Sequence, residues 1–301
     1  MTFPLRIFPS SSSLRPGLAC EVMLQGVIAG RQTGGEQAML AFAPLPEGAV
    51  QPGLAAPNFA NPALVTTALR KALDEVAARE TKLTLVIPDA AVRVLILDFD
   101  SLPAKTQEAL PVVRFRLRKL TPFDVDGAAV SYQFMSPQHG QTRVLVTVMP
   151  AAIRSEYEGA VRASGYEPGV LLPSTLAALA RLPSGDAALV VNRNGLSLTT
   201  AITNGDELLL HRTLDLPMNE ESRREDLAQA VSVAAAYFED MLHAEPRVLY
   251  YVGPGGAEDF ARQLGAEPDG MVCDLALAPA TGMVSAIPKG LAAGVMGALA
   301  S

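Results

Sequence analysis

The sequence predicts an α/β protein of two related lobes with a cleft between them. A three-strand meander occurs twice, near residues 18–43 and 189–214. Each meander is followed by a helical segment and a further apolar strand. The chain has 301 residues, about two domains at ~150 residues each. The second meander is the clearer. Leu189 to Arg193 is apolar and extended, Asn194-Gly195 turns the chain, and Leu196 to Thr203 returns. Asn204-Gly205 turns it again and Glu207 to Leu214 goes out once more. Asn-Gly between β-rich runs is a strong hairpin signal, because type I′ turns need positive φ. The first meander is looser: Leu18–Leu24, Val27–Gln32 and Gln37–Ala43, with Thr33-Gly34-Gly35 at its second turn.

The connecting elements follow in order. After the Pro/Gly-rich stretch Pro44 to Pro57, Asn61-Pro62 starts a helix, a capping side chain followed by Pro at the first helical position. Leu64/Val65, Ala68/Leu69, Ala72 and Val76 then repeat down one face. Leu83 to Ile87 is a short apolar strand stopped by Pro88. Residues 91–165 read as an inserted αββα subdomain with its own leading strand, Val92 to Phe99. Its first helix is expected near 104–120, with Pro111 kinking it or delaying its start. A hairpin, Ala129 to Met135 and Thr142 to Met149, leads to a helix opened by Pro150 and closed by Gly165. Val170–Leu172 and the Ala-rich Pro173–Leu182 return to the second meander. Beyond it come a long helix, about Glu221 to Leu242, the strand Val248–Val252, a Gly-rich turn and a helix to Leu264. The domain reading is a flexible leader over 1–17, a first lobe over 18–90 and 166–184, the insertion, and a second lobe over 185–301. The apolar tail Gly290–Ala300 reads as a terminal helix that packs back on the first lobe.

Composition narrows the function. Hydrophobic residues make up 49% and charged residues 18%, which suits a well-buried globular chain. Trp is absent, so Ala, Val and Leu fill the core. The net charge of -7 argues against a nucleic-acid binder. The basic run Arg114, Arg116, Arg118 and Lys119 reads as the solvated face of a helix, with contact to a partner or to anionic lipid as the alternative. Cys20 and Cys273 lie far apart in apolar stretches and read as core residues. No secretory signal and no run of 18 apolar residues is evident. The expectation is a cytoplasmic protein with no direct membrane insertion.

The order and spacing of several segments resemble the actin-like ATPase superfamily. More narrowly they resemble the PilM family of type IV pilus assembly proteins and the related cytoplasmic domain of GspL-type secretion proteins. Pro44-Leu45-Pro46-Glu47-Gly48-Ala49-Val50 with the Pro62–Ala78 helix resembles the family's first-lobe connection. Leu85-Val86-Ile87-Pro88, Val92 to Leu97 and Thr121-Pro122-Phe123 before Tyr132 resemble the inserted subdomain called 1C. Ser164-Gly165-Tyr166-Glu167-Pro168 resembles its exit, and Ile287 to Ala292 the closing helix. The resemblance implies an actin-like two-lobed fold built on duplicated RNase H-like meanders. It also implies a cytoplasmic scaffold, peripheral to the inner membrane. Such a scaffold binds the N-terminal cytoplasmic peptide of a PilN-like membrane protein and helps couple motor ATPases to pilus assembly. A GspL-like secretion component is the alternative machine.

In such folds each lobe's first hairpin presents a phosphate loop with an Asp-x-Gly pattern. The first loop here falls near Glu21-Val22-Met23-Leu24-Gln25-Gly26, which lacks that pattern and carries bulky Met23 and Leu24. The second is Asn192-Arg193-Asn194-Gly195, with Asn where the metal-directing Asp is expected. Gly253, Gly255 and Gly256 match the adenosine turn better. The cofactor-binding residues expected of a degenerate nucleotide site are therefore Asn192, Asn194, Gly195, Gly253, Gly255 and Gly256. Phosphoryl transfer rests on positioning and metal electrostatics. The chain is thus expected to be no efficient ATPase, to bind ATP and Mg²⁺ weakly or not at all, and to carry no catalytic residues. A live actin-fold ATPase using other residues, or a filament-forming relative, are the other classes. His139, His211 and His243 lack neighbouring ligands at metal spacing, so no metal site is expected. Asp98 and Asp100 read as solvated acids, and no Gly-x-Ser-x-Gly elbow or Walker loop occurs.

Overall fold

The computed structural model describes residues 15–34, 37–137, 140–183, 185–265, 271–275 and 286–300. Most of the expected leader, with Gly35 and His139, lies outside the described residues. The first meander is β1 (Leu18–Met23), β2 (Gly26–Gly34) and β3 (Gln37–Pro44), followed by α1 (Pro62–Val76) and β4 (Lys82–Ile87). The insertion contributes β5 (Arg93–Phe99), α2 (Thr106–Leu117), β6 (Ala129–Phe134) and β7 (Thr142–Met149). Then come α3 (Ala151–Ala163), β8 (Glu167–Pro173) and α4 (Ser174–Leu179). The second lobe runs through β9 (Ala187–Asn194), β10 (Ser197–Asn204), β11 (Glu207–Asp215), α5 (Glu220–Leu242), β12 (Leu249–Val252), α6 (Gly256–Gln263) and β13 (Val272–Asp274). Helix α7 (Ala293–Ala300) closes the described chain.

Two five-stranded sheets have the same order, β3-β2-β1-β4-β8 and β11-β10-β9-β12-β13. In each, a meander is continued by two strands parallel to its first. The duplication seen in the sequence is therefore a duplication of topology. Its hairpin turns differ from expectation. Asn194 pairs with Ser197 and Asn204 with Glu207. The two-residue turns are thus Gly195-Leu196 and Gly205-Asp206, and only the glycines have positive φ, 64° and 57°. Gly at the first central position marks type II′ turns, not the expected type I′.

Local chemistry explains the first lobe's packing. The Asn61 side chain accepts from the Ala63 and Leu64 backbone N–H groups, capping α1. The stripe Val65, Ala68, Leu69, Ala72, Leu73 and Val76 is buried against β2 and β3. Arg70 donates to the Ala163 and Ser164 carbonyls, which tethers α1 to the C-terminal end of α3. The carboxylate of Glu156 accepts the backbone N–H groups of Asn58 and Phe59, both at 2.8 Å.

The insertion needs one correction. Its three-stranded sheet runs β5-β7-β6. On one face Val144, Val146 and Val148 pack with Ala128, Val113 and Leu117 of the α2 layer. On the other, Leu145 and Met149 join the first-lobe core. Helix α3, expected to close the insertion at residue 165, buries Ile153, Tyr157 and Val161 in that same first-lobe core. It packs on α1 and β8, so the inserted unit is β5-α2-β6-β7. Pro111 lies inside α2, which starts at Thr106, so it does not delay the helix start.

Helix α7 packs on α4, β1 and β2 of the first lobe. The contact is backbone-close: a Cβ at Gly297 would overlap the Ala177 carbonyl. A backbone neighbour cannot rotate away. Gly297→Ala is therefore expected to cost about 1–3 kcal/mol by overpacking, read as a lower urea midpoint with unchanged slope. An unchanged midpoint would show that α7 moves freely on α4.

Candidate functional site

Two places bring chemistry-bearing side chains together: the junction of the lobes and a groove beside the insertion. At the junction, the first strand of each sheet supplies one polar side chain. Glu21 of β1 is 3% exposed and Asn192 of β9 is also 3% exposed. Between them lie Asp89, just after β4, and Ser174 and Thr175, which open α4. Burial without a partner is costly for such groups, so their bonds matter. Ser174 donates to Glu21 Oε1 at 2.6 Å. Thr175 donates to Asp89 from its backbone N–H at 3.2 Å and from its hydroxyl. The Asn192 amide donates to Thr175 Oγ1 at 3.0 Å, Ser174 Oγ at 3.1 Å and Asp89 Oδ2 at 3.3 Å. One amide thus ties the second lobe to three side chains of the first.

Glu21 Oε2 has no hydrogen-bond partner among the described residues. It lies under α7, where a Cβ at Gly294 would overlap it. Burial pushes the Glu21 carboxyl up to about 7; the Asp89 charge adds to this, while the Ser174 hydroxyl and the Val295 backbone N–H oppose it. Both ring nitrogens of His211 on β11 are buried without hydrogen-bond partners among the described residues. Burial lowers its pKa, against the pull of Asp89, so the imidazole is neutral at pH 7.

The other expected site residues sit around this junction. Val252 pairs with Asn192, so the Gly253 turn follows β12 directly beside the end of β9. A Cβ at Gly253 would meet the Arg193 carbonyl at 2.8 Å. Asn194 Oδ1 is buried and has no hydrogen-bond partner among the described residues. Gly195 lies against Leu24, the tip of the first lobe's hairpin, whose side chain occupies the space of a Cβ there. Gly255 and Gly256 have φ of 82° and 74° and open α6. Gly253 N–H donates to Gly290 O at 3.0 Å, and the Lys289 side chain lies over Gly256. The glycines therefore admit two close-packed chain segments. Asp98 pairs with Arg143 at 2.8 Å. Among the described residues no three His, Cys, Asp or Glu side chains are placed to hold a metal ion.

The sequence reading missed Asp89, Ser174 and Thr175. The only local signal was a polar residue directly after a buried strand, Pro88-Asp89 and Pro173-Ser174-Thr175.

The groove lies between the insertion and the first lobe and encloses about 300 Å³. Val130, Ser131, Thr147 and Met149 of the inserted sheet line it, with Val92 before β5, and Ile87 and Leu171 line it from the first lobe. Arg154 and Glu158 of α3 stand in it as an ion pair at 2.7 Å, and Arg162 also holds Glu158 at 2.8 Å. These arginines keep the Glu158 carboxyl below the usual range although burial acts against them. Both walls end in sheet edges: β6 is the edge of its sheet and β8 of the first-lobe sheet.

No family model matches the chain, and no curated protein matches it. Solved structures do. A chain of the PilM–PilN type IV pilus biogenesis complex is 19% identical, over 94% of this chain and 97% of that one, with a TM-score of 0.74. The cytoplasmic domain of EpsL, an inner-membrane component of the type II secretion system of Vibrio cholerae, is 13% identical over 94% and 92%, with a TM-score of 0.48. A Bacteroides thetaiotaomicron protein of actin-like ATPase fold and unknown function is 9% identical over 85% and 89%, at 0.44. No helix among the described residues is long and apolar enough to cross a membrane. The doubled sheet order and the likeness to a chain of the pilus complex together give this chain an actin-like, two-lobed fold, with the β5-α2-β6-β7 unit inserted in the first lobe.

Proposed function

We propose that this chain is a scaffold of a type IV pilus assembly platform, and that its groove takes an extended segment of a membrane-protein partner. The observation that carries the reading is the groove itself. It offers apolar and polar groups side by side, and each of its walls carries an edge strand, β6 of the inserted sheet and β8 of the first-lobe sheet. Such edges bind extended chain by strand addition, with alternate side chains entering pockets. The fold neighbour was solved as a PilM–PilN complex. The partner class proposed here is accordingly the N-terminal cytoplasmic peptide of a PilN-like protein.

The actin-like fold implies a nucleotide with Mg²⁺ between the lobes, and the residues present do not fit one. Leu24 lies on Gly195 where a phosphate loop needs open backbone. Asn192 spends its amide on the first lobe's side chains. Lys289 and Gly290 fill the space at the Gly253–Gly256 turn. We read the junction as a structural tie and the protein as a pseudo-ATPase. Thermal unfolding with millimolar Mg-ATP tests this. A ligand at 100 times its Kd adds about 2.7 kcal/mol, a shift of a few degrees. The expected shift is nil, and a clear rise would return the ATPase reading.

Fluorescence anisotropy with the labelled PilN-like peptide tests the groove. Thr147 faces it from the central strand of the inserted sheet. Thr147→Arg is expected to weaken binding at least about tenfold, roughly 1.4 kcal/mol, without changing the melting temperature. Equal affinity of both proteins, or no binding at high micromolar peptide, would overturn the reading.

A further inference from the structure

The outward face of α2 departs from a plain solvated helix. Its inward face buries Ala109, Val113 and Leu117. The outward face carries Val112, 39% exposed, and Phe115, 63% exposed, and the turn after the helix adds Leu120, 46% exposed. Arg116 and Lys119 stand between these apolar groups at helical spacing, so the five residues form one face. Neighbouring charges are already engaged. Lys105 pairs with Glu108, Arg118 pairs with Asp126, and Arg114 donates to the Val125 and Ala128 carbonyls. Arg116 and Lys119 have no ion-pair partner among the described residues, and the Lys119 ammonium lies 5.9 Å from the Phe115 ring centre. In a chain of net charge -7, this is a cationic, aromatic face turned to solvent.

We propose that this face of α2 docks on an anionic phospholipid surface. The order of the groups selects the occupant. A protein-binding patch gathers its apolar residues at a centre and its charges at a rim. Here cations and apolar side chains interleave along one helix face. That order suits the headgroup boundary of a bilayer, where phosphates and acyl carbon lie within a side chain's reach of each other. Phe115 and Leu120 enter the boundary while Arg116 and Lys119 meet phosphates, with their stems lying along it. One helix with two free cations gives a weak, reversible contact, strengthened whenever a second attachment holds the chain at the membrane.

Flotation of the full chain with vesicles tests the proposal. Vesicles of phosphatidylcholine alone are compared with vesicles also containing phosphatidylglycerol, at millimolar lipid and low salt. Two cations near an anionic surface correspond to a rise in partitioning of about tenfold or more. That rise should vanish in Arg116→Glu/Lys119→Glu and shrink in Phe115→Ser. Both changes are on exposed positions, and circular dichroism with a melting curve shows that the variants fold. Thr147→Arg should bind vesicles as the parent does, which separates this surface from the groove. Equal binding to both vesicle types, no binding to either, or full binding by the charge-reversed variant would overturn it. Loss of an acidic protein partner in the same variants, without any vesicle binding, would assign the face to protein instead and overturn it too.

Discussion

Asn192→Asp is expected to destabilise the protein by about 4 kcal/mol at pH 8, the range found when a buried polar network receives an unpaired charge. The substitution restores the acid that an actin-like phosphate loop would carry, yet here it should do harm. The Asn192 amide is only a donor to Asp89, Ser174 and Thr175. A carboxylate cannot donate, and its charge would stand beside Asp89 with buried Glu21 close by. The new acid would hold its proton, so its folded pKa would exceed its unfolded value. Such a group contributes stability below its unfolded pKa and loses it as pH rises through the folded one. The deficit should therefore shrink toward pH 5, whereas Asn192→Ala should cost about 2 kcal/mol at every pH. Urea unfolding of both variants at pH 5 and 8 decides this. An Asp variant as stable as the parent at pH 8, or one rescued by Mg-ATP, would mean that the junction is an open ligand site.

Glu21 should give the unaltered protein a pH dependence of its own. Its folded pKa, about 7, lies above the ordinary 4.5. The sign follows from that: stability is full below about pH 4.5 and falls as pH rises through about 7. The gap corresponds to about 3 kcal/mol at 1.36 kcal/mol per unit. Glu21→Gln keeps the shape and an acceptor for Ser174 while it removes the titrating charge. The variant should show a flat profile between pH 5 and 8 and exceed the parent at pH 8. Parallel profiles for the two proteins would show that Glu21 does not titrate in that window.

Much of the fold was legible because helical and strand periodicities are local. The second meander, α1, α5 and the hairpin of the insertion lie within a few residues of their expected bounds. What sequence could not supply was pairing over distance. The apolar stripe of α3 predicts a buried face and is silent on which core receives it; the structure gives it to the first lobe. The Asn-Gly turns were right in place and wrong in type, since one residue of register decides which two residues are central. Three-residue β13 carries no pattern long enough to read. The junction was least legible of all. Glu21 and Ser174 lie 153 positions apart, and a lone Glu in an apolar strand looks like an exception until its partner is seen. The six expected site residues were read from loop motifs. The acid and hydroxyls that bond to one of them, Asn192, answer to no motif.

The placement of α7 has a consequence for how the protein is made. The first lobe's sheet is complete once β8 has emerged, yet one of its faces stays bare until residues 293–300 arrive to cover β1, β2 and α4. The roughly hundred residues between take several seconds to translate at about 5–20 per second. During that interval Ile28, Leu40 and Val86, all buried in the finished protein, face water on a nascent chain. The lobe made first is therefore finished last. A ribosome stalled within the second lobe would present an aggregation-prone surface, one that chaperones would be expected to cover until α7 emerges.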